Sequence, residues 1–285
     1  MIGTIDTQRC VRCGLCIQDC IADAIDPDTM VIDQHRCIRC SHCSAICPVV
    51  AVSWHDALGN PMGAGEPVEP VSDSTVQELE NLILRRRSVR SYHPEPLPAP
   101  LLQRLLETVN HAPTGTNSRG VGVTVVNSPQ RMRELSDLAM RFFRRLGRLV
   151  LNPVTVPWIL LLGGRTGLRK LRGYQRHIDR YFEGHNNLTH GAPALLVFHA
   201  DRRSSCPSED ALIWAATAAL HAESLGLGTC YNGFLVRAAR LHRPIRRWLD
   251  LPRGHRVYET LLIGSPRVQY PRAACREPSY TRIIE

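Results

Sequence analysis

The sequence contains one lysine, Lys170, so its formal charge of +9 rests almost entirely on arginine. A basic chain can serve nucleic acid, anionic lipid, a phosphorylated cofactor or an acidic protein, or can carry arginines only as a solvated surface. Zinc-finger spacing and an aromatic sheet signature are both missing, so no nucleic-acid partner is expected. There is no G-x-G-x-x-G, which removes a Rossmann-type nicotinamide site. No histidine has a triad-like setting, and the sequence names no catalytic side chain. The chain does not start with a charged stretch followed by an apolar run, and Ile2 stands where myristoylation needs glycine, so a cytoplasmic protein is expected. The apolar run over 149–162 is too short and too interrupted by proline to span a bilayer. Cysteine is sparse after position 47: only Cys206, Cys230 and Cys275 lie there, and Cys230 reads as a buried packing thiol.

The other eight cysteines are dense. "CVRCGLCIQDC" occupies 10–20 and "CIRCSHCSAIC" occupies 37–47. A shift of 27 residues superposes them and their flanks: Ile5-Asp6 falls on Ile32-Asp33, Arg9 on Arg36, and Ala24-Ile25 on Ala51-Val52. A repeat this short cannot close a core alone, so the halves are expected to pack on each other, each as strand, cysteine loop, helical turn and strand. In a reducing compartment such a cluster means metal or catalysis before disulfides. Zinc sites usually separate two C-x2-4-C pairs by a longer loop, whereas three cysteines at consecutive x2 spacings, twice, favour iron-sulfur clusters. Over residues 1–55 the chain resembles the two-cluster bacterial ferredoxins, with Ile21 in place of the proline that follows the fourth cysteine, and Pro48 present in the second copy. The resemblance implies one [4Fe-4S] cluster on Cys10, Cys13, Cys16 and Cys47 and another on Cys37, Cys40, Cys43 and Cys20. Arg9, Arg12, Arg36, Arg39, His35 and His42 flank these ligands, either as solvated charges, as groups that raise the cluster potential, or as a dock for an acidic donor.

Residues 56–74 carry "GNPMGAGEPVEPVSDS" and read as a Gly/Pro-rich linker to a second domain over 75–285. Ser74 and Gln77 form a capping box, and Val76, Leu79, Leu82 and Ile83 follow at helical spacing to about Arg86. The helix runs into "RRRSVRSYHPEPLP", where Arg85, Arg86, Arg87, Ser88 and Arg90 can donate to an anion or complement the negative helix end. A leucine-rich helix from Pro100, "HAPTGTNSRG", a strand "VGVTVV", "GAPALLVFHA", an alanine-rich helix over 209–225, "GLGTCYNGF" and "LLIGSP" complete the order.

Those motifs in that order resemble the FMN-dependent nitroreductases. The fold implied is α+β throughout: an N-terminal ferredoxin-like domain, then a mixed α+β sandwich on a mainly antiparallel sheet. The resemblance assigns the FMN phosphate to Arg86, Arg87, Ser88 and Arg90, with Arg276 closing the clamp. It sets Asn117, with Thr116 and Ser118, against the isoalloxazine ring, and Asn232 and Gly233 at the flavin edge with a backbone N–H toward N5. "GLGTCYNGF" is a residue shorter than the usual version, and Arg119 with "GVG" replaces the family's glutamine and Pro-Trp pair. It also implies a homodimer, for which the small residues of 209–225 would allow close approach, although the same residues suit a buried helix of one chain. NAD(P)H remains an eligible co-substrate, since the family binds it by stacking on the flavin. Residues 131–181 are basic and apolar by turns and read as a lid over a small apolar or aromatic substrate, lined by Trp158, Ile159 and leucines. The alternatives are a segment lying on an anionic membrane and a dimer arm. Electrons would arrive from an external ferredoxin or flavodoxin and reduce a nitroaromatic, quinone or activated double bond, or leave through the clusters if NAD(P)H or a substrate is oxidised; a non-catalytic electron-transfer or redox-sensing protein is the third reading.

Overall fold

The computed structural model describes residues 1–62, 67–277 and 279–284. They form two compact units, Met1–Ser72 with Gly115–Arg119, and Asp73–Thr114 with Gly120–Glu285.

The first unit is a duplicated turn. β1 (Ile2–Ile5) pairs antiparallel with β2 (Val52–His55), Gly3 opposite Trp54. Ile25 and Ile32 make the matching bridge at the repeat junction. Between them lie two single-turn helices, α1 (Leu15–Gln18) and α2 (His42–Ala45). Each cysteine loop opens on an aspartate. Asp6 Oδ1 accepts from Gln8 N–H, Asp33 Oδ1 accepts from His35 N–H, and the Cys10 and Cys37 amides each donate to the aspartate carbonyl four residues back at 2.9 Å. The small core is Ile25, Met30, Ile32 and Val52, and six of the eight cysteines pack against it.

The linker expected over 56–74 starts later than its composition suggests. Asp56 Oδ1 accepts from the Leu58 and Asn60 amides, Gly59 turns the chain at φ 85°, and the Met62 amide donates to the Trp54 carbonyl at 2.7 Å. Residues 56–62 therefore fold back as a hairpin on β2; residues 63–66 of the same expectation lie outside the described residues.

The second unit is built on a four-stranded antiparallel sheet. β3 (Val121–Asn127), β4 (Ala194–Asp201), β5 (Gly228–Tyr231) and β6 (His255–Gly264) lie in the order β3-β4-β6-β5. β4 is buried on both faces, and its residues are accordingly apolar without alternation. One polar exception is His199, which shares hydrogen bonds with Thr124 (3.0 Å) and His255 (2.8 Å); burial first, then the neighbouring His255, bring its pKa down to about 4.

α4 (Ala99–Val109) and α7 (Pro207–Ser224) cover one face. Ala211, Ala215, Ala218, Ala219 and Ala222 of α7 are buried in that layer, so the close approach their size permits is used against the sheet of the same chain. The outward positions of α7 carry Leu212 and Ile213 instead. α5 (Pro129–Val150), α8 (Gly233–Leu241) and α9 (Arg243–Trp248) cover the other face. α5 starts on a Ser128 cap, and its Met132, Leu135, Ala139, Met140 and Phe143 are core residues. The opening third of the 131–181 stretch is thus a structural helix rather than a cover. α6 (Thr155–Phe182) follows at 95°, broken at Gly164 (φ 61°, ψ −173°). Its half after the break carries its two buried residues, Leu168 and Ile178, the latter in the same core as α5, while the half before it buries nothing completely.

Candidate functional sites

Two candidate sites emerge, one in each unit. In the first unit the repeat extends to the backbone. Arg12 and Arg39 (φ 50° and 59°), Gly14 and Ser41 (77° and 64°), and Asp23 and Val50 (44° and 52°) are left-handed at positions related by the 27-residue shift. Left-handed residues alternating with right-handed ones turn successive N–H groups inward, making a concave donor surface suited to anions. The thiol sulfurs accept these donors in matched pairs: Arg12 N–H on Cys10 and Arg39 N–H on Cys37 at 3.4 Å, Ala24 N–H on Cys20 at 3.4 Å and Ala51 N–H on Cys47 at 3.3 Å.

Two apolar cavities lie between these loops. Cys10, Cys13, Cys16 and Cys47 line one; Cys20, Cys37, Cys40 and Cys43 line the other, and Cys16 lines that one too. Burial is the main cause of a raised Cys16 pKa, with Cys10, Cys13 and Cys47 adding to it. Burial likewise pushes Cys43 up to about 11, with Cys40, Cys37 and Cys16 contributing. Apolar surroundings and neighbouring thiols both oppose ionisation of these sulfurs. Among the described residues, no group of three or more His, Cys, Asp or Glu side chains is gathered to hold a single metal ion.

Thr116, Asn117 and Ser118 also belong to this first unit. Gly115–Asn117 forms a 3-10 turn with Thr116 left-handed at φ 53°, and the Asn117 side-chain amide donates to the Ile38 carbonyl at 2.9 Å. Asn117 thus ties its loop to the segment between Cys37 and Cys40, a pairing that local sequence could not reveal.

In the second unit, α3 (Asp73–Arg85) starts one residue before the expected capping serine and delivers the arginine segment at its end. That segment is laid along β5: Ser88 bridges Thr229 in parallel, the Val89 amide donates to the Thr229 carbonyl at 2.9 Å, and Tyr92 bridges Pro266. Tyr92 Oη donates to the Val89 carbonyl at 2.8 Å, which fixes the strip from beneath. Arg86, Ser88 and Arg90 meet around Cys230, which is 6% exposed. Burial raises the Cys230 pKa, while Arg90, a hydrogen bond from Ser88 and Arg86 oppose the rise. Arg85 pairs with Glu223 at 3.7 Å, but Arg86, Arg87 and Arg90 have no carboxylate partner among the described residues. Two guanidinium groups without a carboxylate partner among the described residues, with a hydroxyl near them, suit a phosphate monoester. Among the described residues no interaction joins Arg87 to the Cys230 group, and Arg276 lies on the C-terminal tail outside any helix or strand.

Gly228 sets how closely the strip approaches. A Cβ there would stand 2.7 Å from Val89 Cγ2 and 3.0 Å from Val89 Cβ. Gly228→Ala is therefore expected to push Val89 off β5, cost about 1–3 kcal/mol of stability, and weaken retention of an anionic ligand; unchanged melting and unchanged retention would remove this role.

Asn232 caps α8. Its Oδ1 accepts from Leu235 N–H at 3.1 Å, its Nδ2 donates to the Leu188 carbonyl at 2.7 Å, and its own amide donates to Thr260 at 2.9 Å. The side chain is thus used at both ends, and Asn232 acts as a positioning residue for the exposed Gly233 beside it. Gly233 is the first residue of α8, so its N–H is one of the first-turn donors without a helical acceptor. Phe234 then anchors an aromatic group that the sequence did not announce: His177 stacks on it at 5.4 Å, and Tyr174 and Phe143 meet it edge-on at 5.7 and 5.6 Å. His190 is a further unforeseen neighbour, close enough to Arg90 that the guanidinium adds to burial in lowering its pKa. By contrast Trp158, Leu161 and Leu162, expected to line a substrate pocket, face outward.

An antiparallel sheet covered by helices on both faces, with a cationic strip laid along its edge strand, defines an α+β protein with a surface suited to anions. The comparisons sharpen this. The nitroreductase family model matches residues 83–265, and the chain belongs to that family and is an oxidoreductase of it. The match encloses the 131–181 stretch and leaves Arg276 outside. The chain is 29% identical over 191 residues, 67% of each protein, to an FMN reductase [NAD(P)H] of Bacillus subtilis (strain 168). Its fold is shared by a nitroreductase with bound FMN from Bacteroides fragilis NCTC 9343, at 20% identity and TM-score 0.54, over 73% of this chain and 99% of that one. A nitroreductase with bound FMN from Desulfitobacterium hafniense DCB-2 is similar at 22% identity and TM-score 0.53, over 72% and 98%.

Proposed function

We propose that the protein is an FMN-dependent oxidoreductase that takes electrons through two [4Fe-4S] clusters and reduces an apolar nitroaromatic, quinone or activated double bond. The observation that carries the flavin half is the strip of Arg86, Ser88 and Arg90 on β5, cationic and without carboxylates, inside the span that matches the family. When bound, clusters pass electrons singly, and a flavin can collect two and release them together.

The chain's own residues would act as follows. Cys10, Cys13, Cys16 and Cys47 hold one cluster and Cys20, Cys37, Cys40 and Cys43 the other, the two crossed sets that line the cavities. The amides of Arg12, Ala24, Arg39 and Ala51 favour the electron-rich sulfurs. Arg86, Ser88 and Arg90 would grip the phosphate and the Gly233 N–H would serve the flavin edge, with the Phe234, Tyr174 and His177 rings grouped next to Gly233 in the chain. The working form is a homodimer in the cytoplasm, its electron donor a small reduced ferredoxin or flavodoxin.

The test is an anaerobic titration of the purified protein with reduced ferredoxin and, separately, with NADH and NADPH, following flavin absorbance. Ferredoxin is expected to bleach the flavin at least about tenfold faster than either nucleotide. Prompt bleaching by a nucleotide alone would make the clusters an exit rather than an entrance, and protein that copurifies with neither FMN nor iron would end the reading.

A further inference from the structure

We propose that the tip formed by the end of α5 and the first half of α6 docks the protein on an anionic lipid bilayer. The tip is apolar and unpartnered: Trp158, Leu161 and Leu162 are 63%, 73% and 85% exposed, with Leu149 and Val154 beside them at 69% and 75%. Nothing in the second unit packs over it, since the buried residues of α6, Leu168 and Ile178, both follow the break at Gly164.

Cations collar this tip on both sides. From 138 to 178 the sequence has no aspartate or glutamate, while arginine recurs before the tip and after it. Behind the break, Arg165, Arg169, Arg172 and Arg176 line an open groove floored by Leu160 and Leu168, and none of the four has a carboxylate partner among the described residues. A groove with an apolar floor and an unneutralised guanidinium rim matches the boundary where acyl chains meet phosphate headgroups.

The occupant follows from charge. A second copy packed face to face would bring two carboxylate-free arginine collars together in a chain already at +9, which Coulomb repulsion opposes. An acidic protein would answer the arginines but not the exposed Trp and leucines that lead them. A bilayer rich in anionic lipid answers both. Depth is limited: no single helix among the described residues is long and apolar enough to cross a membrane, and α5 with α6 passes that test only as a pair bent by 95°. The Gly164 break lets the apolar turns before it lie in the interface while the basic turns after it stay among headgroups.

The full-length protein is sedimented with vesicles of phosphatidylcholine alone and with about one third phosphatidylglycerol added. Binding at least about tenfold tighter to the anionic vesicles, and weakening steeply with salt, is expected. Trp158→Ser/Leu161→Ser/Leu162→Ser should lose that binding by about tenfold or more while keeping its circular dichroism and bound flavin. A blue shift of tryptophan emission on mixing with anionic vesicles, absent from Trp158→Phe, would place the indole in the interface. Equal binding to both vesicle types, or unchanged binding of the triple variant, overturns the proposal. So does an oligomer that the triple substitution dissociates without any vesicle binding by the parent, which would assign the tip to a second copy.

Discussion

Arg86→Ala/Arg90→Ala protein is expected to emerge from purification without FMN and with its full complement of iron. The two guanidinium groups act on Cys230 with Ser88 between them in sequence, and neither has a carboxylate partner among the described residues. Each charge-assisted hydrogen bond to phosphate contributes about 1.5–3 kcal/mol. Losing two weakens FMN binding on the order of a hundredfold or more, enough to strip the cofactor during dilution. Arg87→Ala supplies the contrast. Arg87 has no interaction with the Cys230 group, so its loss should cost much less than that of Arg86 or Arg90. Flavin released on heat denaturation, measured against protein-bound iron, reads both results. Full flavin retention by the double variant would show that the strip is only a basic helix end.

Cys16→Ser is expected to have the largest effect in the first unit. Cys16 lines both cavities, and the raised pKa of Cys43 has Cys16 among its causes, so this thiol stands where the two sets meet. A serine oxygen is a hard donor poorly suited to iron-sulfur chemistry. Iron and acid-labile sulfide should fall from about eight each per chain to about four or fewer. Reduced ferredoxin should then bleach the flavin far more slowly, while FMN content stays near one per chain. Cys206→Ser, a half-buried thiol outside both cavities, serves as the control. Iron unchanged in Cys16→Ser would sink the crossed assignment.

The order of weak motifs along 75–285 was enough to read the nitroreductase family, which the match over 83–265 bears out, because fold families preserve element order even where single motifs drift. The 27-residue shift was equally plain, and the structure answers it with paired left-handed residues and paired N–H to sulfur bonds. What stayed hidden were long-range uses of short side chains. Asn232 looks like a ligand in "CYNGF", but whether an amide caps a helix or faces a cofactor depends on Leu188 and Thr260, both distant in sequence. Asn117 reaches back to Ile38 for the same kind of reason. The apolar run over 149–162 suggested a pocket lining, since hydrophobicity alone does not say which side of a helix finds a neighbour; Trp158 found none.

The arginine strip also dictates an order of assembly. Its backbone partners are Thr229, Ser265 and Pro266, so the closing pairs join residues roughly 140 or more positions apart. Closing so large a loop is entropically slow, and during synthesis it must wait until β5 and β6 have left the ribosome, on the order of ten seconds after the arginines appear. Until then the cationic segment has no sheet to lie on. The cysteine turns, by contrast, are complete within the first fifth of the chain and draw their core from neighbours. The N-terminal module can thus mature before the arginine strip has its sheet, and a chain cut short anywhere before β6 would carry its cysteine loops without the β5–β6 pair on which that strip is laid.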